Sequence, residues 1–259
     1  MFVKSIPHVL FCIGYSLIVC ACRIPNPPLS FPTNTLIPTA TITPSPVIAW
    51  FPPTATLTPR PTTAVVPTPD LKPGVGEILF SDDFVTGKGW LLGQTTAASV
   101  AIGKNELTIA ISAPHTYAYS YRDQPVLGDF FIEITAHPTL CRATDEYGLL
   151  LRFASASDFY RFGLSCDGQV SLDRVYKGKA SSPQPWIASG VITAGAPSTS
   201  RLAVWAVGKE MRFFINDVYL FTVNEPTIPK GNLGVFAAAS GNLAVTVNFS
   251  ELVVREIVK

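Results

Sequence analysis

Two adjacent pairs of acidic residues, Asp82-Asp83 and Asp145-Glu146, come closest to catalytic chemistry in this 259-residue chain. Hydrolysis of a glycosidic bond needs two carboxyl groups that flank the scissile bond at about 5–10 Å. Neighbouring residues of a β-strand point to opposite faces of the sheet, so neither pair converges by itself. We interpret both pairs as solvated carboxylates at turns or sheet edges, and no residue is predicted to be catalytic.

Histidine and metal chemistry are equally limited. Beyond residue 74 the histidines are His115 and His137, each next to a proline, and no nucleophile-elbow pattern accompanies them for a Ser-His-Asp triad. Calcium is held by loop oxygens, and Asp82, Asp83 and Asp158 are the candidate ligands, although no loop carries closely spaced acidic residues. No other metal or cofactor is predicted.

Aromatic and arginine side chains at alternate strand positions are the residues best suited to bind a sugar. Rings with a polar group combine rigid apolar area with a hydrogen bond, which is useful at recognition surfaces. Trp186 and Trp205 lie in or near later strands, and Arg152 and Arg161 are expected to be cross-strand neighbours on one sheet face. Each ring could instead belong to the core, and each arginine could be solvated or ion-paired. The predicted ligand-binding residues are Tyr117, Tyr119 and Tyr121, which share one face of their strand, together with Arg152, Arg161 and Trp205.

The first 21 residues have the layout of a secretory signal, with Lys4 near the start, an apolar run over 9–19 and small residues at the end. That run is short for a membrane span. The sequence Val19-Cys20-Ala21-Cys22 resembles the lipobox of bacterial lipoproteins, which implies cleavage before Cys22 and lipid attachment to its thiol. An uncleaved signal anchor is the alternative. Either way we expect an exported domain on the extracellular side, anchored to the cell membrane.

Cysteine counting agrees with that cleavage site. Five cysteines are an odd number, but cleavage removes Cys12 and Cys20 and assigns Cys22 to the lipid. Cys141 and Cys166 then remain as one pair, and an oxidising compartment favours a disulfide between them. It would close a loop of about 26 residues, worth about 3.5 kcal/mol in the chain-entropy model. Two unpaired buried thiols are the alternative, and two cysteines without neighbouring histidines fall short of a zinc site.

Composition separates a linker from a folding unit. Of the 23 prolines, 15 precede residue 75, and residues 22–74 are rich in proline and threonine. Proline lacks an N–H donor and fixes its backbone, so this segment is predicted to be a disordered, extended tether. Residues 75–259 are the predicted domain. They carry 15 Lys and Arg against 17 Asp and Glu, a balance of −2 that excludes the basic surface a nucleic-acid partner requires.

From residue 77 onward, apolar residues alternate in short runs between turn residues, a pattern typical of an antiparallel β-sandwich or barrel. No stretch has a persuasive helical period. Asp167-Gly168 and Asn216-Asp217 are residues that tolerate the positive φ of tight hairpins. The predicted strands are 78–81, 99–102, 106–112, 116–122, 130–137, 147–153, 159–166, 169–176, 201–207, 211–215, 218–223, 231–238 and 243–254.

Several segments within residues 77–256 resemble the concanavalin A-like (laminin G-like) jelly-roll domains, and among these the bacterial domains related to keto-disaccharide hydrolases. The resemblance implies two curved antiparallel sheets of six or seven strands. Its motifs are structural, and the fold supports lectins, glycanases and protein-binding modules alike. The Glu-x-Asp-x-x-Glu spacing of the jelly-roll glycanases of family 16 is absent. The segments are Asp82-Asp83-Phe84, Gly89-Trp90, 147–153, 158–162 and 211–217.

These observations predict a surface-anchored, non-catalytic module that binds glycans or another small ligand. A protein-interaction or envelope-structural lipoprotein, recognised by a flat exposed patch, is the first alternative. A hydrolase acting on a saccharide is the second, and it would require carboxylates or a metal gathered in one cleft.

Overall fold

A computed structural model describes residues 69–225 and 227–258 of the chain. The predicted signal peptide, Cys22 and most of the predicted tether lie outside the described residues. Strands, turns and loops make up the described part, and within it no helix is long and apolar enough to cross a membrane. The predicted all-β fold class is confirmed.

The strands form two antiparallel sheets. In chain order they are β1 (Val75–Asp82), β2 (Gly93–Gln94), β3 (Ala98–Gly103), β4 (Glu106–Ile111), β5 (Tyr117–Tyr121), β6 (Phe130–Leu140), β7 (Glu146–Ser155), β8 (Asp158–Ser165), β9 (Gln169–Tyr176), β10 (Lys179–Ala188), β11 (Ser200–Val207), β12 (Glu210–Ile215), β13 (Val218–Asn224), β14 (Asn232–Ala238) and β15 (Val245–Ile257). A nine-stranded sheet has the order β13-β12-β11-β6-β15-β4-β3-β2, with β1 also paired to β15, and a six-stranded sheet has the order β10-β9-β8-β7-β14-β5.

The core lies between the two sheets and follows from the alternation of apolar residues along the strands. In β4, for example, Leu107, Ile109 and Ile111 are buried, whereas the residues between them are only partly covered. Phe162 of the six-stranded sheet and Phe213 of the nine-stranded sheet meet with ring centroids 4.8 Å apart. Alternate positions therefore fill a shared core and leave each sheet with an outer face.

Two strands escape sequence-based prediction, namely β2 and β10. β10 pairs only with β9, contains Pro183 and Pro185, and shifts register twice along this pairing. Prolines are tolerated on such an edge strand because one side of it needs no ladder hydrogen bonds. Because its residues are exposed or only partly covered, β10 lacks the alternation that marks a half-buried strand. The resemblance implies six or seven strands in each sheet, which is correct for the six-stranded sheet and wrong for the nine-stranded one.

The predicted disulfide is confirmed. Cys141 precedes β7 and Cys166 follows β8, and the bond joins them with their Cα atoms 5.9 Å apart. The N–H of Cys166 also donates to the carbonyl oxygen of Asp145 at 2.9 Å. The disulfide therefore fixes the chain that enters β7 to the end of the neighbouring strand.

Candidate functional site

The outer face of the six-stranded sheet carries the three predicted tyrosines. Tyr117, Tyr119 and Tyr121 project outward from the edge strand β5, while Ala118 and Ser120 between them are buried. The ring centroids are 5.8 Å apart for Tyr117 and Tyr119 and 6.5 Å apart for Tyr119 and Tyr121. The strand alternation thus places three rings side by side along the sheet edge.

Phenylalanines from neighbouring strands extend this row into a layer of rings. Phe153 of β7 stacks on Tyr121 with centroids 4.7 Å apart, and Phe159 of β8 lies 5.5 Å from Phe153. Phe236 of β14 stacks on Tyr117 at 5.6 Å. The phenylalanines are buried, whereas Tyr117 is 38% exposed. A small second core therefore covers the outer face and leaves tyrosines at its solvent edge.

A cleft opens beside these rings, and we call it the aromatic cleft. It encloses about 480 Å³, within the usual range of small-molecule sites. The residues that line it are His115, Thr116, Tyr117, Tyr119, Glu146, Phe153, Ala156, Phe159, Arg161, Ala238, Ala239 and Ser240.

A charged cluster spans three strands at this cleft. Arg161 of β8 donates to Asp173 of β9, with Nη2–Oδ2 and Nε–Oδ2 distances of 2.5 and 3.2 Å. Its Nη1 lies 3.5 Å from Oε2 of Glu146 on β7. The guanidinium stands over the rings of Phe236 and Tyr117, at 5.5 and 5.9 Å from their centroids. The cluster therefore holds Arg161 against the aromatic layer.

Burial shifts the titration of these groups. It raises the pKa of the Glu146 carboxyl, and the charge of Arg161 opposes that rise only in part. Burial also raises the pKa of the Tyr117 hydroxyl. For Arg161, burial acts to lower the pKa, but the hydrogen bond to Asp173 and the negative charge of Glu146 outweigh it and raise the pKa. The cleft thus joins a permanent cation to a carboxylate that is partly withdrawn from water.

The prediction that Arg152 binds ligand on the face of Arg161 needs correction. Arg152 lies where the β7–β8 register shifts, has a φ of +48°, and is fully buried. Its guanidinium donates to the carbonyl oxygens of Ile228, Gly128 and Gly208 at 2.8 to 3.2 Å. It therefore ties three loops together and is inaccessible to a ligand.

Trp205 also needs correction as a ligand-binding residue. It belongs to β11 on the outer face of the nine-stranded sheet and is 5% exposed. Its Nε1 donates to the carbonyl oxygen of Pro73 at 2.9 Å, and the guanidinium of Arg212 lies 4.5 Å from its ring centroid. The chain preceding β1 covers this ring on a different sheet from the aromatic cleft.

Trp186, in contrast, lies on the outer face of the six-stranded sheet. A Cβ built on Gly163 would lie 3.3 Å from Cη2 of the Trp186 ring, 3.5 Å from Phe236 and 3.6 Å from Oγ of Ser171. The indole thus occupies the space that a side chain at position 163 would take. This glycine–tryptophan contact depends on β10, the edge strand that sequence reasoning missed.

Sequence reasoning also missed Phe153 and Phe159 and did not assign Glu146 to the cleft. A signal for Glu146 exists in hindsight: it lies an even number of positions before Gly148 and Leu150, which face the same side as Arg161 through their cross-strand pairing. Phe153 carries no such signal. The irregularity after Leu151 breaks the two-residue period, so counting along β7 places Phe153 on the wrong face.

The acidic pair Asp145-Glu146 is divided between a loop and the aromatic cleft. Asp145 is buried and accepts from the N–H and hydroxyl of Ser240 at 2.9 and 3.1 Å, so it closes a loop, while Glu146 lines the cleft. These adjacent carboxylates do not converge, but the interpretation of both as solvated is wrong for Asp145, which is 3% exposed because it binds Ser240 inside the fold. His115 also lines the cleft, whereas His137 lies elsewhere and bonds through Nδ1 to the Thr199 hydroxyl at 2.9 Å.

The candidate calcium ligands already serve as hydrogen-bond acceptors within the protein. Asp82 accepts from Trp90 Nε1 at 2.9 Å and from Arg122 Nη1 at 2.6 Å. Asp83 accepts weakly from a backbone N–H two residues on, and Asp158 accepts from two serine hydroxyls and a backbone N–H in the other sheet. Within 69–225 and 227–258, no group of three or more His, Cys, Asp or Glu side chains is placed to hold a metal ion.

Comparison with known proteins shows the fold. No protein-family model matches the chain, and no curated protein matches it in sequence. Among solved structures, a galectin-like protein of unknown function from Bacillus subtilis is similar with a TM-score of 0.55 and 11% identity, over 71% of this chain and 98% of that one. The carbohydrate-binding module CBM66 from Bacillus subtilis is similar with a TM-score of 0.52 and 14% identity, over 65% of this chain and 96% of that one. The catalytic domain of an endo-1,3-β-glucanase (laminarinase) from Thermotoga petrophila has a TM-score of 0.51 and 8% identity, over 71% of this chain and 98% of that one. The domain is thus a concanavalin A-like jelly-roll sandwich, while its relation to keto-disaccharide hydrolases stays a prediction.

Proposed function

We propose that this domain is a non-catalytic glycan-binding module and that the aromatic cleft is its binding site. The observation that carries the proposal is the row of partly exposed tyrosine rings beside the half-buried Glu146 and Arg161. A sugar ring has apolar C–H surfaces and a rim of hydroxyl groups. Tyrosine rings match the first, and a carboxylate next to a guanidinium matches the second.

The size and backing of the cleft support this assignment. Phe153, Phe159 and Phe236 lie behind the tyrosines, so the rings are held in place before a ligand arrives. Preorganisation reduces the entropy lost on binding. The likeness in fold to CBM66 is a further support, since that protein is a carbohydrate-binding module.

The carboxylates favour binding over hydrolysis. Among the described residues that line the aromatic cleft, Glu146 is the only Asp or Glu. Asp173 behind it accepts from Arg161 through Oδ2 and from the Ser182 hydroxyl through Oδ1 at 2.6 Å. A glycosidase of the usual kind needs two carboxyl groups free to act on the scissile bond. The aromatic cleft supplies one such carboxyl group, that of Glu146.

We test the proposal by screening the full chain against immobilised glycans and titrating any that bind. Tyr119→Ala is expected to weaken binding at least 10-fold, about 1.4 kcal/mol, because it removes the middle ring of the row. Tyr176→Ala is the matched control, since Tyr176 is as exposed as Tyr117, at 38%, but lies outside the cleft.

Two results would overturn this function. Absence of binding to every glycan would favour the protein-interaction or structural alternative. Release of new reducing ends from a bound glycan would show that the domain is a hydrolase.

We further propose that the chain is an exported lipoprotein anchored to the membrane through Cys22. The proposal is supported by the signal-like residues 1–21 and the lipobox-like Val19-Cys20-Ala21-Cys22. Cys22→Ala is expected to abolish incorporation of radiolabelled fatty acid and to move the protein from the membrane to the soluble fraction. Unchanged labelling in this variant would disprove the assignment of Cys22.

A further inference from the structure

The positive charge in the aromatic cleft is already neutralised. Arg161 is the one lining residue, among those described, with a permanent positive charge, and two carboxylates flank it. Asp173 takes its Nε and Nη2 groups, and Glu146 lies beside Nη1. Counting one cation against two anions, the cluster carries a charge of −1. An acidic ligand would therefore have to displace a carboxylate from Arg161 or lie next to Glu146.

A cationic ligand meets a different obstacle. Tyr117 is the exposed ring next to Glu146, but the guanidinium of Arg161 already lies 5.9 Å from its centroid and 5.5 Å from that of the buried Phe236 behind it. A second cation there would face the charge of Arg161 at close range. The cluster thus repels an acidic ligand through its net charge of −1, and Arg161 opposes a cation placed on the ring of Tyr117.

Glu146 and Arg161 still have hydrogen-bonding capacity. Oε2 of Glu146 lies 3.5 Å from Nη1 of Arg161 and accepts no hydrogen bond, and the Glu146 side chain as a whole is 22% exposed. A carboxylate accepts several hydrogen bonds, and Nη1 has hydrogens to donate. Two neighbouring hydroxyl groups of a ligand would match this pair of side chains, since one can donate to Glu146 while the other accepts from Arg161.

We infer that the ligand of the aromatic cleft is an uncharged saccharide, recognised by a pair of adjacent hydroxyls that bridge Glu146 and Arg161. This inference rests on the proposed glycan-binding function and narrows it. Tyr117 and Tyr119 contact the apolar face of the sugar, and Glu146 excludes uronates and sulfated or phosphorylated sugars by like-charge repulsion.

The test uses the full chain and sets of oligosaccharides of equal length in neutral, uronate-containing and amine-bearing forms. The best neutral member is expected to bind at least 10-fold more tightly than its charged counterparts. Its affinity should stay the same between about 0.02 and about 0.3 M NaCl, because binding of an uncharged ligand forms no ion pair for salt to screen.

Glu146→Gln identifies the residue responsible. It preserves the shape of the side chain but removes the charge, so neutral binding should fall about 5-fold and discrimination against the uronate form should drop below about 3-fold. Glu77→Gln is the control, since Glu77 is exposed on β1 outside the cleft and should leave both values unchanged.

The outcomes separate this inference from the proposed function. Tighter, salt-sensitive binding of an acidic or amino saccharide that Tyr119→Ala abolishes would refute the inference and leave glycan binding intact. Neutral binding that Glu146→Gln does not alter would refute the role of Glu146. Failure of every saccharide to bind would overturn the proposed function itself.

Discussion

The two arginines of the β7–β8 hairpin have opposite environments although both were expected on one face. Arg161 lies on the outer face, half-buried and paired with two carboxylates. Arg152 has positive φ at the register shift, which turns its guanidinium towards the carbonyls of Gly128, Gly208 and Ile228. One irregular position in a strand thus decides whether an arginine can meet a ligand.

Replacement of Arg152 should therefore lower the free energy of unfolding. In Arg152→Leu, three loop carbonyls lose their donor in a buried site, and we expect unfolding to become easier by about 3 kcal/mol. Chemical denaturation measures this change. Arg142→Leu is the control because the side chain of Arg142 is exposed. Equal stability of the two variants would contradict a structural role for Arg152.

The raised pKa of Glu146 predicts the pH dependence of binding. Burial favours the protonated form, so the pKa of the Glu146 carboxyl lies above its ordinary value of 4.5. A protonated Glu146 is a poorer acceptor for a sugar hydroxyl, and affinity should fall as the pH drops through this raised pKa. Arg161 and Asp173 face Glu146 across the sheet, and Tyr117 and His115 line the same cleft. Titrations across pH with wild type and Glu146→Gln measure the effect. The same acid loss in both would assign it to another of these groups.

At the scale of strands, the sequence predicts most elements because their residues alternate between a core and an outer face. The thirteen predicted runs coincide with strands of the two sheets. The exceptions are physical: β2 is two residues long, and β10 is an edge strand with two prolines and little burial. For the site, alternation is enough to place Tyr117, Tyr119 and Tyr121 together. It fails for Arg152, where the register shifts, and it cannot say which sheet carries a given face, as for Trp205.

Two glycines in adjacent strands should respond differently to a methyl group. In Gly148→Ala the new Cβ would lie 2.1 Å from the carbonyl oxygen of Phe162, which belongs to the neighbouring strand, so β7 and β8 must separate. In Gly163→Ala the nearest atom, at 3.3 Å, belongs to Trp186 on the irregular edge strand β10, which can move.

We expect Gly148→Ala to cost at least about 3 kcal/mol in stability and Gly163→Ala about 1 kcal/mol or less. Gly163→Ala should also shift the emission of the Trp186 indole, and Trp186→Phe should remove that shift. Thermal unfolding and fluorescence distinguish the two variants. A larger destabilisation in Gly163→Ala would mean that β10 is held rigidly.

The disulfide acts on the same hairpin. Cys141 and Cys166 are 25 positions apart, and their bond restricts the unfolded chain over this stretch. Replacing both with alanine should lower the free energy of unfolding by about 3.5 kcal/mol in the chain-entropy model. Denaturation of the double variant, beside wild type under oxidising and reducing conditions, measures this. Reduced wild type should match the variant, and equal stability in all cases would show that the bond contributes nothing.

At the scale of the whole domain, the outer faces of the two sheets are covered differently. The six-stranded sheet presents the aromatic cleft, while the outer face of the nine-stranded sheet is covered near β11 and β12 by residues 71–73, which we call the N-terminal strap. Leu71 packs against the cluster around Trp205, and Lys72 pairs with Asp217 and lies 4.8 Å from the centroid of Phe214. The strap lies within residues 22–74, the predicted tether, yet it packs on the domain.

Arg212 is the side chain that holds the strap on the face opposite the aromatic cleft. It does so through Nη1, which donates to the carbonyl oxygen of Leu71 at 3.0 Å, and through its contact with the Trp205 ring.

Arg212→Ala should release the strap and speed chymotryptic cleavage after Leu71 about 10-fold, because proteolysis follows the population of the open form. Arg201→Ala is the control, since Arg201 pairs with Glu133 on the same sheet away from the strap. Affinity for the saccharide should be the same in both variants, and a loss of affinity confined to Arg212→Ala would mean that the strap side of the molecule takes part in binding.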